Sequence, residues 1–110
     1  MAEQKLKKFL SIDEVYDEFE KMIQEVGKSA HISPALTRKY TKEGLKEWEK
    51  SSKLDVLKLY KKPPEKQKEE IPKMIQSIRP KLEVALDKEE AINEVLDDIA
   101  DTFKEIYDLK

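Results

Sequence analysis

The chain of 110 residues contains no cysteine, which excludes disulfides, thiolate metal sites and a cysteine nucleophile. It has two glycines, Gly27 and Gly44, too far apart to build a glycine-rich phosphate loop. His31 is the only histidine. With no partner at metal-ligand spacing, it is expected to be a loop residue, solvated or hydrogen-bonded. No serine has a plausible base for nucleophilic work. No apolar run exceeds three residues, which excludes a transmembrane helix and a signal-peptide core. These absences lead to the expectation of a cytoplasmic protein that is not an enzyme, holds neither metal nor small-molecule cofactor, and does not enter a membrane.

What is abundant is charge. Charged residues make up 42% of the chain and apolar residues 38%, the balance of one folded domain with a densely charged surface. Lys and Glu dominate while Asn occurs once and Gln four times, a bias that fits a thermophile. The net charge of −2 conceals a pattern along the chain. Residues 37–68 carry eleven basic and five acidic side chains, a net of +6. Residues 1–36 net −2 and residues 69–110 net −6. A basic middle between acidic ends bears on partners more than on fold.

Apolar periodicity reads as helix throughout. Ser11 and Glu14 make an S-x-x-E capping box, with Leu10 and Val15 placed as its hydrophobic staple. Ile12, Val15, Tyr16, Phe19, Met22, Ile23 and Val26 then form one stripe, and Gly27 is placed to end the helix, which otherwise runs on to Ala30. Ser33 as N-cap and Pro34 at the first helical position start a second helix, with Leu36, Tyr40, Leu45 and Trp48 facing inward. Gly44 weakens its middle, so two helical pieces are an alternative. The stretch 54–60 suits either a helix capped by Ser52 and Asp55 or a short β wing.

Pro63-Pro64 closes that stretch, and the polar run to Glu70 reads as a linker or an exposed first turn. Ile71, Met74, Ile75 and Ile78 define a short helix that Pro80 is expected to interrupt. Asp87 and Glu90 are placed to cap a last helix whose stripe is Ile92, Val95, Leu96, Ile99, Phe103, Ile106 and Tyr107. Packing within the chain is the first reading of that stripe. The second makes Ile92, Val95, Ile99, Phe103 and Ile106 the seam of a homodimer or a protein partner. Glu94, Asp97, Asp98, Asp101, Glu105 and Asp108 lie opposite it, a solvated or partner-facing surface and not an inward di-iron site.

The run from Ile23 to Leu45 resembles the DNA-binding head of MerR-type regulators. The likeness rests on Ile23, Glu25, Val26, Lys28, Ile32, Ser33, Arg38, Tyr40, Gly44 and Leu45, and extends loosely to Lys58-Leu59-Tyr60. His31 stands where that family has its turn glycine, Leu36-Thr37 inverts its Thr-Leu, and the wing glycine and arginines are missing. The resemblance implies a helix-turn-helix in which Arg38 and Tyr40 contact phosphate.

The expected fold is all-α: a small bundle of four to five helices with a helix-turn-helix-like part at 11–62 and a C-terminal helical arm at 70–110. Two functions follow. In the first, nucleic acid is bound through Arg38, Lys39, Tyr40, Lys42 and Lys46, with Lys58, Lys61 and Lys62 extending the field. In the second, the chain is a helical protein-interaction or assembly subunit. Glu43, Glu47 and Glu49 interleave with the lysines as on an ordinary solvated helix, which favours the second.

Overall fold

Helix α1 (Ile12–Val26) begins where its capping box predicts. Ser11 Oγ accepts the Glu14 N–H at 3.2 Å, and the Glu14 carboxylate accepts the Leu10 N–H at 2.6 Å. The hydrophobic staple does not form, because Leu10 points to solvent at 82% exposure. Phe9 takes its place against the core, edge-on to Tyr60 with ring centroids 5.0 Å apart. The computed structural model describes residues 9–26 and 31–109, the Val26 side chain excepted. The expected stop at Gly27 or Ala30, and the resemblance at Val26 and Lys28, therefore lie outside the described residues.

Helix α2 (Pro34–Ser52) opens on Ser33, whose Oγ accepts the Leu36 N–H at 3.2 Å. It runs unbroken through Gly44 and ends where Lys53 turns left-handed at φ 62°. The reason is tertiary: Gly44 lies against the next long helix, where packing outweighs its poor helix propensity. Leu36 is 41% exposed, and the inward positions of the first turns are filled by Thr37 and Thr41 instead. Leu45 and Trp48 are buried as expected.

Residues 56–60 are helical, and no strand occurs among the described residues. Asp55 makes the difference, its carboxylate accepting the Lys58 N–H at 2.8 Å to start α3 (Val56–Tyr60). Ser52 accepts the Leu54 N–H just upstream. Val56 and Leu59 are then fully buried.

Helix α4 (Pro64–Ala85) starts at the second of the paired prolines and passes through both Pro72 and Pro80. Neither proline interrupts it. Each removes the N–H that would bond the carbonyl four residues back, here Lys68 and Gln76. All four of these residues are exposed, so water can satisfy the freed carbonyls. On the opposite side Ile71, Met74, Ile78 and Leu82 are buried and hold the helix to the core. Helix α5 (Glu89–Ile106) follows after three residues, with Lys88 at its N-cap and no side-chain cap bond. The expected Asp87 cap does not form.

The long helices make a closed ring of contacts: α1 on α2, α2 on α4, α4 on α5, α5 back on α1. The α2–α4 contact is the most extensive. Helix α3 packs on α1 and α4, and the Tyr107 hydroxyl donates to the Val56 carbonyl at 3.1 Å, tying it to the end of α5. The C-terminal helices thus complete one helical bundle and do not stand apart as an arm. Its radius of gyration is 13.3 Å, about that of a single compact domain of this length.

Candidate nucleic-acid interface

The solvent side of α2 is built by what its other side buries. Thr37, Thr41, Gly44, Leu45 and Trp48 face the bundle, so helical geometry turns Lys39, Lys42, Lys46 and Lys50 outward, and all four are exposed. They span twelve residues, roughly 16 Å of helix at 1.5 Å per step. Ala35, Arg38, Lys39, Lys42, Glu43 and Lys46 line one open groove of about 450 Å³ along this side. The structure therefore brings Arg38, Lys39, Lys42 and Lys46 together. Lys58, Lys61 and Lys62 are exposed on α3 and just after it, and do not line that groove.

Arg38 is committed within the fold. Its Nη1 donates to Asp17 Oδ1 at 2.7 Å and to Glu20 Oε1 at 3.2 Å, both on α1, and its side chain is only 25% exposed. Tyr40 is half-buried against the core. The phosphate-contact pair implied by the resemblance is thus placed as a helix–helix clamp and a packing residue. The Lys42 ammonium sits 5.3 Å from the centroid of the Tyr16 ring, a cation–π contact that leaves its charge unneutralised. Burial, then Glu49 and Asp55, push the Tyr16 phenol well up, with Arg38 pulling the other way.

Carboxylates interrupt the lysine face. Glu43 lies within the groove, and Glu47 is 3.8 Å from Lys50. Burial and Asp55 raise the Glu49 carboxyl above its usual range, while Lys46 and Lys42 act to lower it.

The stripe offered as a partner seam is not on the surface. Ile92, Val95, Ile99, Phe103 and Ile106 are between 0% and 8% exposed within the single chain. Phe103 meets Phe19 of α1 with centroids 5.0 Å apart. The ring of helices consumes this stripe, leaving none of it for a second chain. The acidic residues opposite are exposed, Asp98 partly so, and the Glu94 carboxylate lies 2.9 Å from His31 Nε2, from which it accepts a hydrogen bond. His31 is thus a hydrogen-bonded loop residue. Among the described residues no group of three His, Asp or Glu is arranged to hold a metal ion, and no helix is long and apolar enough to cross a membrane.

Two features escaped the sequence reading. Glu70, placed there in an exposed polar run, is 2% exposed. It accepts the Trp48 indole N–H at 2.8 Å and faces Lys66 at 3.1 Å and Lys73 at 3.6 Å. The signal was present in the i,i+4 and i,i+3 spacing of those lysines around a carboxylate beside Ile71. The second is an apolar cleft between α4 and α5, about 560 Å³, lined by Lys68, Ile71, Pro72, Ile75, Ala100, Lys104 and Leu109.

No family model, curated protein or solved structure matches this chain.

Proposed function

We propose that the chain is a non-enzymatic nucleic-acid-binding protein that grips the phosphate backbone of a duplex through the lysine face of α2. The observation that carries this reading is the exposure of Lys39, Lys42 and Lys46 along one groove, on a helix whose opposite face is locked into the core. Lysine ammonium groups at successive turns match a polyanion, whose binding releases condensed counterions. Point charges without a bidentate partner specify no base, so the expected binding is to backbone, with little sequence preference. Arg38 contributes by fixing α2 on α1, not by touching phosphate.

The test is titration of a labelled 20–30 base-pair DNA duplex at several salt concentrations, a length on the order of a typical bound site. Three to four lysine contacts predict an affinity that falls roughly a hundredfold between about 50 and about 200 mM monovalent salt. Absence of binding at the lowest salt removes this reading and leaves a protein-only role, the function that the carboxylates interleaved on α2 favour.

A further inference from the structure

The α4–α5 cleft is a second surface, remote in character from the lysine face of α2. Its walls are apolar: Ile71, Pro72 and Ile75 on α4, Ala100 on α5, and Leu109 beyond it. Ile71 is buried at the floor, while Ile75, Ala100 and Leu109 are half-exposed. A volume of about 560 Å³ is within the usual range of binding pockets, roughly 300–1,000 Å³. Burying such a cleft against apolar atoms is favourable.

Two cations stand at the cleft, Lys68 from α4 and Lys104 from α5. Both are exposed, and among the described residues neither makes an ion pair with the abundant carboxylates around it. Lys66, two residues away, shows the contrast, engaged by both Glu69 and Glu70. Pro72 adds a backbone feature. It offers no N–H to the Lys68 carbonyl, so one cleft wall carries an acceptor free of its usual helical partner.

Length narrows the occupant. Lys68, Ile71, Pro72 and Ile75 cover eight residues, roughly 10 Å of α4. That is two turns, the reach of an i, i+4, i+7 anchor set on a helix lying in a groove. We infer that the α4–α5 cleft receives the apolar face of an amphipathic helix from a protein partner, whose flanking carboxylates pair with Lys68 and Lys104. The charge requirement follows from the two unpaired ammonium groups, and the helical form from the match in length. Such a protein bound here and a duplex held on α2 would make the chain an adaptor, although the cleft does not depend on the α2 reading.

The experiment uses a designed helical peptide with leucines at i, i+4 and i+7 and glutamates flanking them, labelled for fluorescence anisotropy against the full chain. Saturable binding is expected, weakened at least tenfold in Lys68→Glu with Lys104→Glu. Both lysines are exposed, so that double variant is expected to keep the wild-type melting temperature. The same peptide with lysines replacing the glutamates is expected to reverse the preference, binding the double variant more tightly than the wild type. No binding, or binding that ignores the charge exchange, overturns the inference. Dodecanoate displacing the environment of Ile75 in NMR spectra while the peptide does not would overturn it in favour of a small amphiphile. Concentration-dependent self-association lost in the double variant, with no peptide bound, would overturn it in favour of a second copy.

Discussion

A Cβ built on Gly44 would lie 2.6 Å from the Cα of Ile78, closer than a side chain can sit against backbone. The missing side chain lets α2 and α4 meet main chain to main chain. Ser77 completes the crossing by donating to the Gly44 carbonyl and accepting the Trp48 N–H at 3.2 Å. Gly44→Ala would gain about 1 kcal/mol of helix propensity, against an overpacking cost of roughly 1–3 kcal/mol or more. Since the obstacle is backbone, which yields less than a side-chain tip, a net loss of about 2 kcal/mol is expected. Urea unfolding of the variant checks this.

Further along the same pair of helices, where Trp48 of α2 meets α4, Glu70 makes stability depend on pH. Burial raises its carboxyl, but the Trp48 N–H, the Lys66 hydrogen bond and the charges of Lys73 and Lys66 outweigh that and hold it below 4.5. A depressed carboxyl stabilises the fold above its unfolded value, and that stability disappears as pH falls through the folded value. Acid unfolding is therefore expected below pH 4.5, and Glu70→Gln is expected to flatten it. Glu70→Ala leaves the Trp48 indole buried and unpaired, at a cost of about 2–4 kcal/mol at neutral pH. Chemical denaturation across the pH range, followed by Trp48 fluorescence, reads both.

Thr41 presents the opposite case. Its hydroxyl is fully buried and has no hydrogen-bond partner among the described residues. By contrast Thr102, just as buried, donates to the Asp98 carbonyl at 2.7 Å. An unpaired buried hydroxyl costs roughly 1–3 kcal/mol. Thr41→Val keeps the β-branched shape and is expected to stabilise by about 1 kcal/mol, while Thr102→Val destabilises by a similar amount. Thermal melts of the two variants should move in opposite directions.

At the alkaline end Tyr16 and Tyr107 take over. Burial drives both phenols up, with Glu49 and Asp55 adding to the effect on Tyr16, and Tyr16 and Asp55 on Tyr107. A group raised in the fold stabilises it below its unfolded value, and that contribution is lost as pH rises through the folded one. Unfolding above pH 10 is expected, with tyrosinate absorbance and loss of helical circular dichroism appearing together. Tyr16→Phe should move that transition to higher pH.

Two of the helices whose ends carry a local hydrogen-bonding cap were legible from sequence. Ser11 and Ser33 each announce a start because the cap bond needs only residues three positions apart, whereas 54–60 suits helix and β wing alike until the Asp55 bond to the Lys58 N–H decides it. The last stripe was legible for a similar reason, since Ile92 to Tyr107 repeats at helical spacing over many turns. What failed was decided by distant residues. Pro80 reads as a break until Ile78 and Leu82 are seen buried on the other side of the same turn. Gly44 reads as a weak point until Ile78 is seen against it. Arg38 reads as an exposed cation until Asp17 and Glu20 arrive from α1. The α4–α5 cleft involves residues some thirty positions apart, and no local pattern marks it.

Two kinds of basic residue share α2, the groove lysines and the Arg38 clamp, and duplex titration of two variants separates them. Lys39→Ala with Lys42→Ala and Lys46→Ala is expected to keep the fold and lose most binding, with the log–log salt slope shallower by about three. Arg38→Ala is expected to lower the melting temperature, through loss of its bonds to Asp17 and Glu20, while a folded sample binds the duplex as the wild type does. A lysine variant that binds with undiminished affinity and slope would contradict the account, as would an Arg38→Ala protein that stays fully folded and no longer binds.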